Sequence, residues 1–272
     1  MGRVAAVPRR SPSPFDALAD AYDRVRPGYP DDAVDTLVTL AGMPRRGHIL
    51  EIGAGTGQLT VALAERGYHV TAVEVGEQLA ERLRRNVREY DDVAVVCGRF
   101  EDTELPVRSF DLVTAATAFH WLDRQVAYDK AAELLRPTGA LGLIFNIHVD
   151  ADQGYFAASE AIYARHAPQV LGPGTSAALS KHDAWRTEID ATGRFDDVQI
   201  RSHPWGVTYS RKTYLELLST YSDHIVLEPG VRDALFADLG ELIDRRFRGE
   251  VEKHYDALVV VASVLPPTGA GE

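Results

Sequence analysis

The stretch from residue 32 to residue 148 alternates between helical patterns and short apolar runs. Five runs have the composition of buried strands, namely "HILEIG", "YHVTAVEV", "VAVVCG", "FDLVTAA" and "ALGLIFNI". Segments such as "DDAVDTLVTLAG" and "QLTVALAERG" place apolar residues at helical spacing and end at Gly. Strands joined by helices of this length predict a parallel sheet with right-handed crossovers and helices on both faces. Ligands bind such sheets at the carboxyl ends of the strands.

The alternation becomes irregular beyond residue 150. "YFAASEAIYARHAPQVLG" predicts an extra helix, "DVQIRSHPWGVTYS" and "YDALVVVASVL" predict two further strands, and a helical stretch over roughly 211–250 separates them. The segments at about 151–181 and 207–252 are expected to form a helical lid. The sequence thus predicts one α/β domain over residues 15–265, with a Rossmann-like, doubly wound, mostly parallel seven-stranded sheet. Residues 1–14 and 266–272 are expected to be disordered tails.

Composition limits the class of partner. The formal charge of -11 argues against a nucleic-acid or anionic-membrane binder, because either partner would repel the average surface. No stretch approaches the ~18 consecutive apolar residues of a membrane-spanning helix. Cys97 is the only cysteine, so a disulfide framework is not expected and a reducing compartment fits. We expect a cytoplasmic monomer or homodimer that acts on a small molecule.

The strongest local pattern is "ILEIGAGTGQLTVAL", residues 49–63, where Gly53, Gly55 and Gly57 lie between a predicted strand and a predicted helix. Glycine at such a turn lets the backbone approach a ligand closely. The dinucleotide fingerprint requires its third Gly where this chain has Gln58. A phosphate-binding Gly-Lys-Ser/Thr sequence does not follow the loop either. Nicotinamide-dependent oxidoreduction is therefore a minor alternative.

An acidic residue ends the next predicted strand. "TAVEV" places Glu74 about 20 residues after the first loop glycine, where a carboxylate can accept hydrogen bonds from both hydroxyls of a ribose. The alternative is a solvated charge at a strand end. Together with the loop, Glu74 favours a nucleoside site.

These motifs resemble the class I S-adenosylmethionine-dependent methyltransferases. "EIGAGTG" is similar to their acidic glycine loop, and "GRFEDTELPVRSFDLVTAATAFHWLD" to the stretch from the adenine pocket into the fourth strand. "YDRVRPGYP" and the Ala-Phe-His-Trp ending resemble the small-molecule branch that includes trans-aconitate methyltransferases. The resemblance covers roughly residues 15–148.

The resemblance implies S-adenosylmethionine as cofactor and assigns it a set of contacts. Glu51 and the loop main chain would hold the methionine portion, Glu74 the ribose, and the segment around residue 100 the adenine. Where relatives often carry an Asp for the adenine amino group, this chain has Arg99, which can only donate hydrogen bonds. Glu101 or Asp102 is expected to accept that bond instead. The residues predicted to bind the cofactor are Tyr22, Arg26, Glu51, Gly53, Ala54, Gly55, Gly57, Glu74, Phe100, Glu101, Ala116 and Thr117.

Two of these residues belong to the amino-terminal "YDRVRPGYP" segment. Tyr22 and Arg26 are one helical turn apart and can face the same way, so they could meet the carboxylate of the cofactor or of an acidic substrate. The alternative for Arg26 is an ordinary surface residue. Tyr29 is expected to pack.

The end of the fourth strand supplies the candidate catalytic residue. His120 could act as a general base, contact substrate or cofactor, or hold strand and helix together as a structural residue. Trp121 is expected to pack, and Asp123 to cap the following helix, over roughly 124–136. The next strand offers only Asn146, His148 and Asp150, so a metal is not expected, and His148 is expected to be solvated or packed.

The predicted function is methyl transfer from S-adenosylmethionine to a small-molecule acceptor, with a carboxylate or hydroxyl oxygen as the expected nucleophile. An alternative is a protein of the same fold that catalyses a reaction without methyl transfer, such as a cyclisation, or that only binds a ligand.

Overall fold

A computed structural model describes residues 16–149, 154–170 and 182–266 of the chain. The predicted tails lie outside these residues, apart from residue 266, as do parts of the predicted lid segment 151–181. The helices, numbered in chain order, are α1 Ala19–Val25, α2 Asp31–Leu40, α3 Gln58–Glu65, α4 Glu77–Asn86, α5 Arg124–Leu134, α6 Gly154–His166, α7 His182–Ala191, α8 Arg211–Ser219, α9 Ser222–Ile225 and α10 Pro229–Arg246. The strands are β1 His48–Ile52, β2 His69–Glu74, β3 Val93–Cys97, β4 Phe110–Ala116, β5 Leu135–His148, β6 Phe195–Ser210 and β7 Glu250–Val264.

The strands form one seven-stranded sheet in the order β3-β2-β1-β4-β5-β7-β6. The first five are parallel, and β7 is antiparallel to both of its neighbours. In β1, Ile49 pairs with Val70 on one side and Leu112 on the other. The chain order reverses between β1 and β4, which places the carboxyl end of β1 at the switch point of the sheet. The prediction of a Rossmann-like, mostly parallel sheet is confirmed.

Helices cover both faces of the sheet. One buried cluster, which includes Tyr128 of α5 and Ile189 of α7, joins these two helices to one face of the sheet. A second cluster, which includes Leu37 of α2, Leu59 of α3 and Leu83 of α4, joins these helices to the other face. Burial of apolar side chains on both faces explains why the central strands read as continuous apolar runs.

β6 and β7 extend past the rest of the sheet. Their ladder continues to the pair Ser210–Glu250, whereas β5 ends where His148 pairs with Tyr255. This extension supports α6, α8 and α10, which share a third buried cluster that includes Val25 of α1 and Leu235. The helical segments therefore lie above the carboxyl edge of the central strands.

The fifth strand is longer than its apolar run predicted. The helix expected over roughly 124–136 ends at Leu134, and β5 begins at Leu135, before the run "ALGLIFNI". The register between β4 and β5 shifts from Phe110–Leu135 to Leu112–Ala140. Residues 136–139 therefore form a bulge within the strand.

Candidate active site

The glycine loop lies at the carboxyl end of β1 and requires glycine at two positions. Gly53 has φ +67°, and a Cβ added there would lie 2.6 Å from the Cβ of Ala118. Gly57 has φ +103°, and its added Cβ would lie 2.6 Å from Leu83 Cδ1. The left-handed backbone and the absent side chains bring the loop against β4 and α4. The loop, with Ala54 buried in it, leads directly into α3.

Glu74 ends β2 and binds the loop. Its side chain is buried, with Oε2 accepting from the main-chain N–H of Gly55 and Oε1 accepting from that of Gly76, both at 2.8 Å. Burial raises the pKa of this carboxyl group, while the N–H groups of Gly76 and Gly55 act to lower it. The alternative of a solvated charge is wrong, because the side chain is only 4% exposed.

Glu51 lies beneath the loop, fully buried on β1. Thr60 Oγ1 donates to its Oε2 over 2.6 Å, and its buried Oε1 has no hydrogen-bond partner among the described residues. Burial raises the pKa of Glu51 to about 8, the bond from Thr60 lowers it and the nearby Glu74 raises it. A buried carboxyl oxygen without a partner is costly, so this oxygen is available to a ligand that donates hydrogen bonds.

The free energy of unfolding is expected to fall between about pH 5 and 8 in part through Glu51. Because the folded-state pKa of about 8 exceeds the ordinary 4.5, the folded protein keeps a proton that the unfolded chain releases. The stabilisation is complete below the unfolded-state pKa and is lost as the pH rises through the folded-state pKa, by up to ~1.4 kcal/mol per pH unit. Urea denaturation of the wild type and of Glu51→Gln across this pH range measures this loss. The difference between their free energies of unfolding removes the contributions of the other titrating groups. Identical pH slopes would contradict a protonated Glu51.

The predicted adenine segment is a short 3-10 turn, Phe100–Asp102. The Phe100 side chain is 2% exposed and packs in the core, so its ring does not lie at the surface of the site. Arg99 forms ion pairs of 3.2 Å with both Glu101 and Asp102. Glu101 and Asp102, the two acids expected to replace the Asp of relatives, are thus both paired with Arg99.

Ala116 and Thr117 end β4 beside the loop. Thr117 has φ +51°, a strained conformation for a β-branched residue, and its main-chain N–H donates to Ile144 O over 2.8 Å. Its Oγ1 lies 2.9 Å from the hydroxyl of Tyr29. Burial raises the pKa of that hydroxyl, which therefore stays neutral. Tyr29 packs as predicted, and its hydroxyl also hydrogen-bonds the residue that follows β4.

The amino-terminal segment covers the loop through α1. The Tyr22 ring would lie 3.6 Å from a Cβ added to Gly55, so Tyr22 is next to the loop as predicted. Arg26 donates to Thr220 Oγ1 over 2.9 Å and to Thr220 O over 2.7 Å. Its guanidinium also lies 4.9 Å from the Tyr22 ring centre and 4.5 Å from that of Tyr221. Arg26 therefore joins α1 to the end of α8, a contact that the sequence did not predict.

His120 lies in the 3-10 turn Phe119–Trp121 that follows β4. Its buried Nδ1 has no hydrogen-bond partner among the described residues, and burial, with a further effect of Arg124, lowers its pKa. The imidazole is therefore neutral at neutral pH. The prediction that Trp121 packs is wrong, because its side chain is 63% exposed and contacts the His120 ring at 5.1 Å between centroids. Asp123 caps α5 as predicted, accepting from Val126 N over 3.3 Å.

Further residues at this edge were not singled out as site residues from the sequence. The Asn146 side chain donates to Gly28 O over 2.9 Å and accepts from Trp205 Nε1 over 3.1 Å, which joins the α1–α2 connection, β5 and β6. Lys253 is only 5% exposed, with its Nζ 5.2 to 5.8 Å from the ring centres of Phe156, Tyr221 and Tyr255. His148 packs edge-on against Phe156 at 4.3 Å between centroids. The partners of Asn146, and Phe156 and Tyr221 beside Lys253, are too distant in sequence for spacing to reveal them.

Within residues 16–149, 154–170 and 182–266, no group of three or more His, Cys, Asp or Glu side chains is arranged to hold a metal ion. The described helices each lack the combined length and apolar character that crossing a membrane requires.

The sheet order, the glycine loop at its switch point and the acid at the end of β2 define the Rossmann-like fold of class I methyltransferases. Residues 49–139 match the family described as a methyltransferase domain. An uncharacterized methyltransferase of Mycobacterium bovis is 39% identical over 132 residues, which cover 48% of this chain and 51% of the relative. The chain thus spans about half the length of the curated relatives it matches.

Solved structures agree on the fold. The YcgJ protein from Bacillus subtilis is 15% identical, with a TM-score of 0.55 over 87% of this chain and 99% of that one. Phosphoethanolamine N-methyltransferase 2 of Haemonchus contortus, solved with S-adenosyl-L-methionine, is 16% identical, with a TM-score of 0.53 over 93% of this chain and 57% of that one. The match over residues 49–139 makes this part of the chain similar to a methyltransferase domain, and the solved structures show the same fold. The narrower resemblance to the trans-aconitate branch stays a prediction.

Proposed function

We propose that this protein transfers a methyl group from S-adenosylmethionine to an oxygen atom of a small molecule. The observation that carries the proposal is the arrangement of two buried carboxyl groups around the glycine loop. Glu74 holds the loop by the N–H of Gly55, and Glu51 presents a buried oxygen without a partner among the described residues. Support also comes from the structural neighbour solved with S-adenosyl-L-methionine.

The residues present fit this cofactor. The unpartnered Oε1 of Glu51 suits the cationic amino group of the methionine portion, because a positive charge there favours the ionised carboxylate, which accepts hydrogen bonds. The glycines at 53 and 57 leave space that a Cβ would fill. Glu74 suits the ribose hydroxyls, because each of its oxygens retains a lone pair beyond the bond it accepts. The other assigned contacts are Ala54 and Gly55 in the loop, the main chain of Phe100 and Glu101, the main chain of Ala116 and Thr117, and Tyr22 and Arg26 above the loop.

When bound, S-adenosylmethionine supplies an electrophilic methyl group on a sulfonium. The protein has to align an oxygen nucleophile with that methyl group and exclude water, and alignment alone can supply about 7–11 kcal/mol. A general base typically adds 10²–10⁴-fold. A carboxylate acceptor needs no base, whereas a hydroxyl acceptor does.

Positive charge among aromatic rings favours an anionic acceptor. Arg26 and Lys253 both lie against the ring of Tyr221, at 4.5 and 5.8 Å from its centre. Lys253 is opposite Val207 in the β6–β7 ladder, on the extension that rises above the carboxyl edge. Tyr255 lies two positions after Lys253 on the same face of the strand. Its ring contacts the Trp205 ring, with 5.5 Å between the centroids. An acceptor carboxylate would meet two cations at this wall.

The helices above the sheet are the proposed lid. α6 and α10 pack on each other, and α8 is joined to α1 by ion pairing of Arg24 with Glu216 and by the bonds of Arg26 to Thr220. A lid built on the β6–β7 extension would enclose the acceptor and determine its size and shape.

His120→Ala is expected to lower turnover about 10²–10⁴-fold with a hydroxyl acceptor and to leave a carboxylate acceptor nearly unaffected. The neutral imidazole has a buried Nδ1 that can accept a proton. Steady-state kinetics with both acceptor types measures the effect, and calorimetry with S-adenosylhomocysteine checks that cofactor affinity is retained. Loss of cofactor binding or of folding would instead assign His120 a structural role.

The proposal is tested by titrating the purified protein with S-adenosylmethionine and S-adenosylhomocysteine, followed by labelled-methyl transfer to a metabolite panel. The panel contains di- and tricarboxylic acids, phenols and polyketides. Glu74→Ala serves as the matched variant, because it removes the carboxylate that is proposed to bind the ribose hydroxyls. Absence of binding to either ligand would defeat the proposal. Binding without transfer to any acceptor would favour a non-methylating reaction or a ligand-binding role.

A further inference from the structure

The ammonium group of Lys130 donates to three main-chain carbonyls of one short loop. Its Nζ lies 2.7 Å from Phe100 O, 3.1 Å from Glu101 O and 2.6 Å from Thr103 O. It also lies 5.1 Å from the centre of the Phe100 ring, within range of a cation–π contact. A lysine ammonium has three N–H donors, so this loop engages all of them.

The same loop is also closed by its own main chain, chiefly through the carbonyl of Arg99, while Phe100 O accepts a longer bond from Thr103 N over 3.3 Å. Arg99 O accepts from Asp102 N over 3.1 Å, from Thr103 N over 3.0 Å and from Thr103 Oγ1 over 2.6 Å. The carbonyls of residues 100, 101 and 103 converge instead on Lys130, which comes from α5. The path of the main chain at Phe100 and Glu101 is therefore fixed by a side chain from a different element.

The acidic side chains of this loop are engaged elsewhere, since Glu101 and Asp102 both pair with Arg99. Recognition of an adenine at this edge would then depend mainly on the position of the main chain. A hydrogen bond to the edge of a base is lost when its donor or acceptor moves by about an ångström, because such bonds form only over a small range of distances and angles.

We propose that Lys130 is a positioning residue for adenine recognition, holding the main chain of residues 100–103 against the base from the side of α5. The proposal rests on the proposed function, because this loop meets an adenine only if S-adenosylmethionine binds here. The contacts of Lys130 are to the loop main chain, so it would act on the base through the position of that main chain.

The test compares Lys130→Met, which keeps the unbranched stem and removes all three donors, with Lys130→Arg, which keeps charge and donors. Lys212→Met, a change at an exposed lysine of α8, is the control. Hydrogen exchange of residues 99–103 is measured without ligand. Calorimetry then gives affinities for S-adenosylhomocysteine and for S-inosylhomocysteine, which differs only in the base. Lys130→Gln takes the place of Lys130→Met if circular dichroism shows the latter unfolded.

Lys130→Met is expected to speed exchange in the loop and to weaken S-adenosylhomocysteine binding about tenfold, the size of one lost polar contact. Binding of S-inosylhomocysteine should change little, so the preference for adenine falls, and Lys130→Arg should restore much of it. Unchanged exchange, or an equal loss for both ligands, would overturn the proposal, because a purely structural role weakens both alike. A wild type that binds neither ligand would refute the proposed function and the adenine role with it. If the wild type binds both ligands and Lys130→Met leaves the ratio of their two affinities unchanged, the role of Lys130 alone is refuted.

Discussion

Replacing Gly53 by alanine is expected to destabilise the protein by about 2–5 kcal/mol and to abolish measurable cofactor binding. The left-handed backbone at φ +67° costs an alanine roughly 1–2 kcal/mol. The new Cβ would lie 2.6 Å from the Cβ of Ala118, and overpacking of this kind typically costs another 1–3 kcal/mol. Relief of the contact must move the loop away from the end of β4, where the methionine portion is proposed to bind. Urea denaturation and titration with S-adenosylhomocysteine measure the two effects.

Two further variants separate strain from contact. Gly67→Ala introduces the same residue at φ +79° with no atom within 4 Å of the added Cβ. Its free energy of unfolding should therefore fall only by the roughly 1–2 kcal/mol of backbone strain, and its cofactor affinity should be unchanged. The double variant Gly53→Ala with Ala118→Gly removes the clashing methyl group and should recover about 1–3 kcal/mol. Equal stability losses for Gly53→Ala and Gly67→Ala would show that the close approach of loop and β4 is unimportant.

Glu74→Ala is expected to weaken binding of S-adenosylmethionine and S-adenosylhomocysteine at least 100-fold. Two hydrogen bonds from a carboxylate to ribose hydroxyls contribute roughly 1.5–3 kcal/mol each, and each 1.4 kcal/mol corresponds to a factor of ten in affinity. The variant also removes the acceptors of the Gly55 and Gly76 N–H groups, both bonded at 2.8 Å, which loosens the loop before any ligand arrives. Isothermal titration gives the affinities.

Glu77→Ala is the matched control, since Glu77 is an exposed carboxylate at the start of α4, three positions away. Glu74→Gln provides a second comparison, because its amide nitrogen cannot accept from a main-chain N–H and only one of the two loop bonds can persist. Its affinity should fall between those of Glu74→Ala and the wild type. A Glu74→Ala affinity within threefold of the wild type would contradict a role in binding the cofactor.

Local physical chemistry explains what could be predicted from the sequence. Apolar runs and helical spacing gave all seven strands and the helices between them, because burial on both faces of a sheet leaves a one-dimensional pattern. The Asp123 cap was predictable because its partner Val126 is only three positions away. The glycine loop was predictable because left-handed backbone between a strand and a helix requires glycine, as at Gly53 and Gly57.

The contacts that were missed join residues far apart in the chain. Arg26 meets Thr220 across 194 positions, and Asn146 meets Gly28 across 118. The spacing of residues within each segment does not specify either pair, and the Arg26–Thr220 pair forms because α8 lies beside α1 at the β6–β7 extension. The error at Trp121 has a similar cause, since a large aromatic residue beside a strand usually packs, and only the direction of the turn after β4 left it 63% exposed.

The sequence by itself determined the order of strands and helices, the glycine loop and the acid at the end of β2, because each depends on interactions within a few residues or on periodic burial. Only the tertiary structure decided the electrostatics of the site. Burying Glu51 with one oxygen unpartnered among the described residues raises its pKa to about 8. Bringing α5 beside residues 100–103 assigns the three donors of Lys130. Desolvation and hydrogen bonding between distant segments depend on distances that no sequence spacing specifies.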